Sequence, residues 1–234
     1  MKKSFFFIIG LLACVIIHAQ AVIGSSSNGG PYGGSTTTVQ SFFREGITPK
    51  LHTDVLGSPF LFENFLLARV KLANKNVYDS IYVKLNAYDN KVHFLNENNE
   101  ELQVGSAVDE VIITDKSNPS WDGAVFRSGF TGGGTFFYRV IQDGPKMQVL
   151  KKVMLSIWEV RSLGDQNKRN FQYEDQLCLA VDGTVFFENK KCGAAIAGLK
   201  EKEQELAKQF VIDNNLKCNK EEDMKKLAEY CNKL

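Results

Sequence analysis

From about Phe60 the apolar residues of this chain recur at every second position, and that period narrows its possible folds more than any other feature. Ala68, Val70 and Leu72 alternate with Arg69 and Lys71; Ile81, Val83, Leu85 and Ala87 alternate with Tyr82, Lys84, Asn86 and Tyr88. Successive side chains of a strand leave opposite faces, so the alternation predicts strands with one apolar and one wet face. Asp89-Asn90, both tolerant of positive φ, then turn the chain into Val92 and Phe94, a hairpin signal. Further strands are predicted over 101–104, 109–114, 123–128, 135–142, 147–158, 171–181 and 184–188, with turns at Asp143-Gly144-Pro145 and Asp182-Gly183. The expected fold is mainly β: an antiparallel sheet or partly open barrel of about ten strands, joined mostly as sequential hairpins and followed by two C-terminal helices (α+β).

The helices are predicted from a change of period and composition. Residues 194–213 are rich in good helix formers, with Ile196, Leu199, Leu206 and Phe210 available for a buried face. In the second helix Asn219 stands as N-cap and Glu222 at the capping-box position. Met224, Leu227, Ala228 and Cys231 follow at helical spacing.

Ahead of the strands the chain reads differently. Lys2 and Lys3 precede an apolar run over residues 5–17, and Ala19-Gln20-Ala21 offers small residues for cleavage, so 1–21 is expected to be a signal peptide. The run is shorter than the roughly 20 residues of a spanning helix, and no later stretch is longer, so no transmembrane span is expected in the mature chain. Leu11-Leu12-Ala13-Cys14 has the form of a lipobox, which makes Cys14 the candidate site of a lipid anchor. Against acylation, Val15-Ile16-Ile17 prolongs the apolar run and Leu12 is large for its place. Residues 22–56 are expected to be a Gly/Ser-rich flexible tether and lead-in, 57–191 the antiparallel β-domain, and 192–234 a helical segment packed on it.

Charge and cysteine count exclude some roles. Losing Lys2 and Lys3 from 28 basic against 27 acidic residues leaves 26 against 27, a formal charge of −1. Such a chain has no general electrostatic attraction for nucleic acid. Four cysteines follow residue 21, at spacings of 14, 26 and 13, with no C-x₂₋₄-C pair to suggest a metal site. In an exported protein they invite disulfides. A helix over about 220–232 would hold Cys218 and Cys231 roughly 18–20 Å apart, too far for a bridge. That leaves a crossed arrangement, or one bridge with two free thiols. Cys192 with Cys231 is the candidate pair if the helices fold back on each other.

Catalytic signals are sparse. After cleavage only His52 and His93 remain, too few for a multi-histidine metal centre, and no G-x-S-x-G elbow accompanies them. No catalytic, metal or cofactor residues are assigned, and no cofactor is expected. The run Gly129-Phe130-Thr131-Gly132-Gly133-Gly134 lacks the lysine and following helix of a phosphate loop. Gly132, Gly133 and Gly134 are instead the candidate mobile rim of a pocket. The aromatics, Phe136-Phe137 and Phe186-Phe187 among them, are expected mostly in the β-core, and adjacent members point to opposite faces.

Two stretches carry a resemblance. Gly57-Ser58-Pro59-Phe60-Leu61, followed by the segment ending Leu85-Asn86-Ala87-Tyr88-Asp89, resembles the opening of a family of uncharacterised exported proteins of Bacteroidota. Phe210, Asn214-Asn215-Leu216-Lys217, Lys220-Glu221-Glu222-Asp223 and Glu229-Tyr230-Cys231-Asn232 are similar to that family's closing helices, where the usual ending is Tyr-Tyr-Asn and Cys231 here replaces the second tyrosine. The resemblance implies an exported β-rich body with terminal helices, and carries over no activity.

The expected function is therefore that of a non-enzymatic binding or envelope-associated module, periplasmic or at the cell surface, whose partner is an envelope protein or a small lipophilic ligand. A carrier holding a lipophilic molecule in a half-barrel cavity is the alternative. A hydrolase using His52 or His93 is a second one, and requires a Ser, Thr or Cys within hydrogen-bond reach of the imidazole.

Overall fold

The alternating segments pair into one sheet. A computed structural model describes residues 46–47, 54–160, 168–188 and 190–234. The expected signal 1–21, Cys14, His52 and most of the 22–56 lead-in lie outside the described residues. The strands are β1 (Gly46–Ile47), β2 (Leu66–Leu72), β3 (Val77–Asn86), β4 (Lys91–Leu95), β5 (Glu101–Val104), β6 (Val108–Ile113), β7 (Val125–Arg127), β8 (Tyr138–Gln142), β9 (Met147–Val160), β10 (Lys168–Val181) and β11 (Thr184–Phe186). They lie in the order β1-β5-β4-β3-β2-β6-β7-β8-β9-β10-β11. All neighbours are antiparallel, and β1 and β11 form the two outer edges, so the sheet is open.

The turns work as their residues dictate. Asn90 takes φ 55° in the β3–β4 connection, and Asp182 and Gly183 take 45° and 77° between the paired Val181 and Thr184. Two positive φ values in a two-residue loop match the right-handed twist of the flanking strands. Asn86 departs from the wet face expected of it and is buried. Its Oδ1 accepts the N–H groups of Tyr88 and Asp89 at 3.1 and 2.9 Å, which fixes the turn.

Ala68, Val70, Leu72, Ile81, Val83, Leu85 and Ala87 are all buried, in a core that also takes Phe94, Phe126 and Phe137. Further along, β9 and β10 bury both faces. Met147, Val149, Leu179 and Val181 meet the helices, while Leu150, Cys178 and Ala180 pack with Tyr138 and Val185 on the other side. Phe136 and Phe137 lie just ahead of β8 and join different cores. Trp158 and Tyr173 are exceptions to the mostly core placement expected of the aromatics and are exposed on the β9–β10 ribbon.

The described end of the lead-in, with the residues that follow it, pairs with the sheet. Leu56 pairs with Asn170 of β10, and Phe60 pairs with Asn86, the last residue of β3. This strap joins two distant strands of the sheet, and the Leu155 N–H adds a bond to the Ala87 carbonyl at 3.2 Å. Together they hold the sheet curled over its first core.

Three helices follow: α1 (Gly193–Ala197), α2 (Glu201–Asp213) and α3 (Glu221–Cys231). The single helix expected over 194–213 breaks at Gly198, where a Cβ would lie 2.8 Å from the Phe186 ring. Leu206, assigned to the buried face, is 49% exposed, and Ala207 is buried instead. The second tail helix buries Met224, Leu227, Ala228 and Cys231 as predicted. Its N-cap, however, is Lys220 with no side-chain cap; Asn219 lies one residue outside, and Asp223 reaches back to the Lys217 N–H at 3.0 Å. Asn232 then clips α3 to the start of β9. Its Oδ1 accepts the Lys146 and Met147 N–H groups at 2.9 and 2.8 Å, and its Nδ2 donates to the Met147 carbonyl.

The disulfide joins Cys192 to Cys218, with Cα atoms 5.0 Å apart. The expected Cys192–Cys231 pair does not form. Cys218 lies in the α2–α3 connection, which the turn of α2 brings back to the start of α1, whereas Cys231 ends α3 and is buried against the sheet. Cys178 and Cys231 are free and buried.

Candidate functional site

Of the two histidines, His93 is described, and its setting is that of a core residue. It sits on β4 at 2% exposure, edge-on to Phe60 with ring centroids 5.0 Å apart. Its Nδ1 pairs with Glu101 Oε1 at 2.7 Å, which fixes the ring orientation. The buried Nε2 has no hydrogen-bond partner among the described residues. A catalytic base needs its nucleophile's hydroxyl or thiol at that nitrogen, and none of the described residues places one there. His93 seats the strap against β4.

The glycine run borders a crevice of about 260 Å³ at the end of the sheet where the β3–β4 and β5–β6 turns lie. Gly134 lines it, with Asn90, Ser106, Ser128 and Thr135 as polar neighbours. Gly132 and Gly133 do not line it. A Cβ on Gly132 would approach the Val185 carbonyl, and one on Gly133 would lie 2.9 Å from the Tyr138 hydroxyl. The expected mobile rim is in fact tied down. Thr131 exchanges backbone bonds with Gly183 and Val185 at 2.9 Å, and the Tyr138 hydroxyl donates to the Gly133 carbonyl at 2.6 Å. Burial pushes that phenol up to about 12, so it keeps its proton and remains a donor. The buried Asn90 Oδ1 lacks a partner among the described residues.

A larger site lies on the helical end. An open groove of about 610 Å³ runs between α1, the second half of α2 and the loop that follows it. Ile196 of α1, Val211 and Ile212 of α2, and Leu216 form its apolar floor. Helical spacing puts Lys208, Val211 and Ile212 on one face of α2 (i, i+3, i+4), so this face carries both an apolar stripe and a cation. Lys190, Lys191, Lys208 and Lys217 stand around the floor, and no acid lines it. Ile212 is 70% exposed, more than any other large apolar residue described.

The disulfide sets the shape of the groove. Gly193 and Leu216–Lys217 border it, directly beside or one residue from the bridged Cys192 and Cys218, so the cross-link fixes its two walls against each other. Reading along the sequence misses this site because Ile212 falls off the stripe assigned to α2, and the lysines converge only after the helices fold back. The visible signal is four lysines at 190, 191, 208 and 217 around an otherwise unexplained Val-Ile pair.

No family model, curated protein or solved structure matches the chain.

Proposed function

We propose that the protein is an exported, non-enzymatic binding module of the cell envelope that takes a lipophilic ligand in the groove between α1 and α2. The observation that carries this reading is the groove: about 610 Å³ of open, apolar-floored space lies within the range of small-molecule sites, roughly 300–1,000 Å³. The half-barrel interior is a less suitable place for the ligand. Phe94, Phe126 and Val83 fill it at 0% exposure, with their neighbours packed around them.

Export is supported by the character of residues 1–21 and by the Cys192–Cys218 bridge, which suits a chain folding in an oxidising compartment, periplasmic or extracellular. The likeness to exported Bacteroidota proteins agrees with that placement.

Native mass spectrometry of the protein purified from its own host tests the function. A co-purifying apolar molecule of defined mass, lost in the Ile212→Asp variant, is expected. A clean apoprotein that also binds no added lipophile would refute the reading.

A further inference from the structure

We infer that the groove selects a single-chain amphiphile with an anionic head, a carboxylate or similar, and holds that head between Lys190, Lys191 and Lys217; this rests on the groove being a lipophile site. The charge of the walls carries the argument. Lys190, Lys191 and Lys217 are exposed beside the floor, Lys208 is paired with Glu205, and the whole chain is close to neutral, so the positive charge is local to this side of the groove.

The lysines are also held together. Lys191 and Lys217 each adjoin a bridged cysteine, and with the Cys192 and Cys218 α-carbons 5.0 Å apart, their own α-carbons are within about 13 Å. A covalent link thus keeps Lys217 beside the Lys190-Lys191 pair, where one anionic head can meet more than one ammonium.

Glu188 accepts the Ala195 N–H, Asp213 accepts the Gln209 amide at 2.7 Å, Asp223 accepts the Lys217 backbone N–H at 3.0 Å, and Glu205 pairs with Lys208 at 2.6 Å, which takes that lysine out of the anion site. Lys190 and Lys217 have no ion-pair partner among the described residues. The floor then supplies the apolar half of the match: Ile212, Val211 and Ile196 take the alkyl chain that follows the head.

The test compares laurate with 1-dodecanol, equal in chain length and different in head charge, by calorimetric titration of the oxidised full-length mature protein. Laurate is expected to bind at least tenfold tighter, and the advantage should shrink as salt rises. The Lys190→Gln/Lys217→Gln variant should bring laurate down to the level of dodecanol and leave dodecanol unchanged. These lysines are exposed, so the variant keeps its fold. Equal binding of the two probes by the wild type would overturn the anionic-head inference and leave the groove reading standing. Binding of neither would overturn both. Sedimentation with phosphatidylglycerol vesicles without binding of monomeric laurate would make the lysines a membrane contact, and would likewise overturn the inference.

Discussion

Asn232 shows how much one side chain does here. Its amide makes three hydrogen bonds to Lys146 and Met147, across more than eighty residues of sequence, and it is the polar anchor that seats α3 on β9. Asn232→Ala leaves two backbone N–H groups without their acceptor, and at about 1 kcal/mol per lost bond plus desolvation it should cost about 2–4 kcal/mol, read as a lower urea midpoint. The free thiols are a second residue-scale case. Burial pushes Cys178 up to about 12 and Cys231 up to about 11, so at neutral pH both stay as unreactive thiols. Alkylation without reductant should therefore label neither in the native protein and both in denaturant; reduction should add Cys192 and Cys218. Labelling of Cys231 in the native state would show that α3 lifts from the sheet. These local features were partly legible. Asn90, Asp182 and Gly183 were readable as turns because the chemistry of a turn is local. Asn232 was not, because its partners lie in a distant loop.

At the scale of elements, the tail is held by a cross-link and a charge pair. The Cys192–Cys218 bridge closes a loop of 26 residues in separation, and the chain-entropy model assigns such a loop about 3.5 kcal/mol. Cys192→Ser/Cys218→Ser should lose roughly that much of the tail's stability, seen as faster amide exchange in α1 and α2 than in β3 or β9. Lys146 and Glu203 bind α2 to the β8–β9 turn at 2.6 Å. The Lys146 ammonium, through its hydrogen bond, holds the Glu203 carboxyl below its ordinary value of 4.5. A carboxyl depressed on folding contributes stability that is fully present above its unfolded value and is lost as pH falls through the folded one. The urea midpoints of wild type and Glu203→Gln should thus differ at pH 6 and converge as pH falls below the ordinary carboxyl value of 4.5 and through the lower folded one. Strand positions were readable at this scale because the period of two reports each strand separately. The face of α2 and the disulfide partner were not, since both depend on how Gly198 breaks the helix against Phe186.

The described residues form an open antiparallel sheet, curled over a filled core by the strap around Leu56 and Phe60, with helices on the far end of its long hairpin. Sequence pattern reached the fold class and the helical tail but not the groove, because that site belongs to no single segment: α1, α2, a loop and a disulfide each supply one part. The sheet offers a crevice of about 260 Å³ and the helices an apolar-floored groove of about 610 Å³, and the second has the size for a lipophile. A titration of the protein with 1-dodecanol, followed by backbone amide chemical shifts, tests this assignment most directly. Shifts are predicted at Gly193, Ile196, Val211, Ile212 and Leu216, with residues 128–135 unmoved. Shifts confined to the crevice, or none at all, would contradict it.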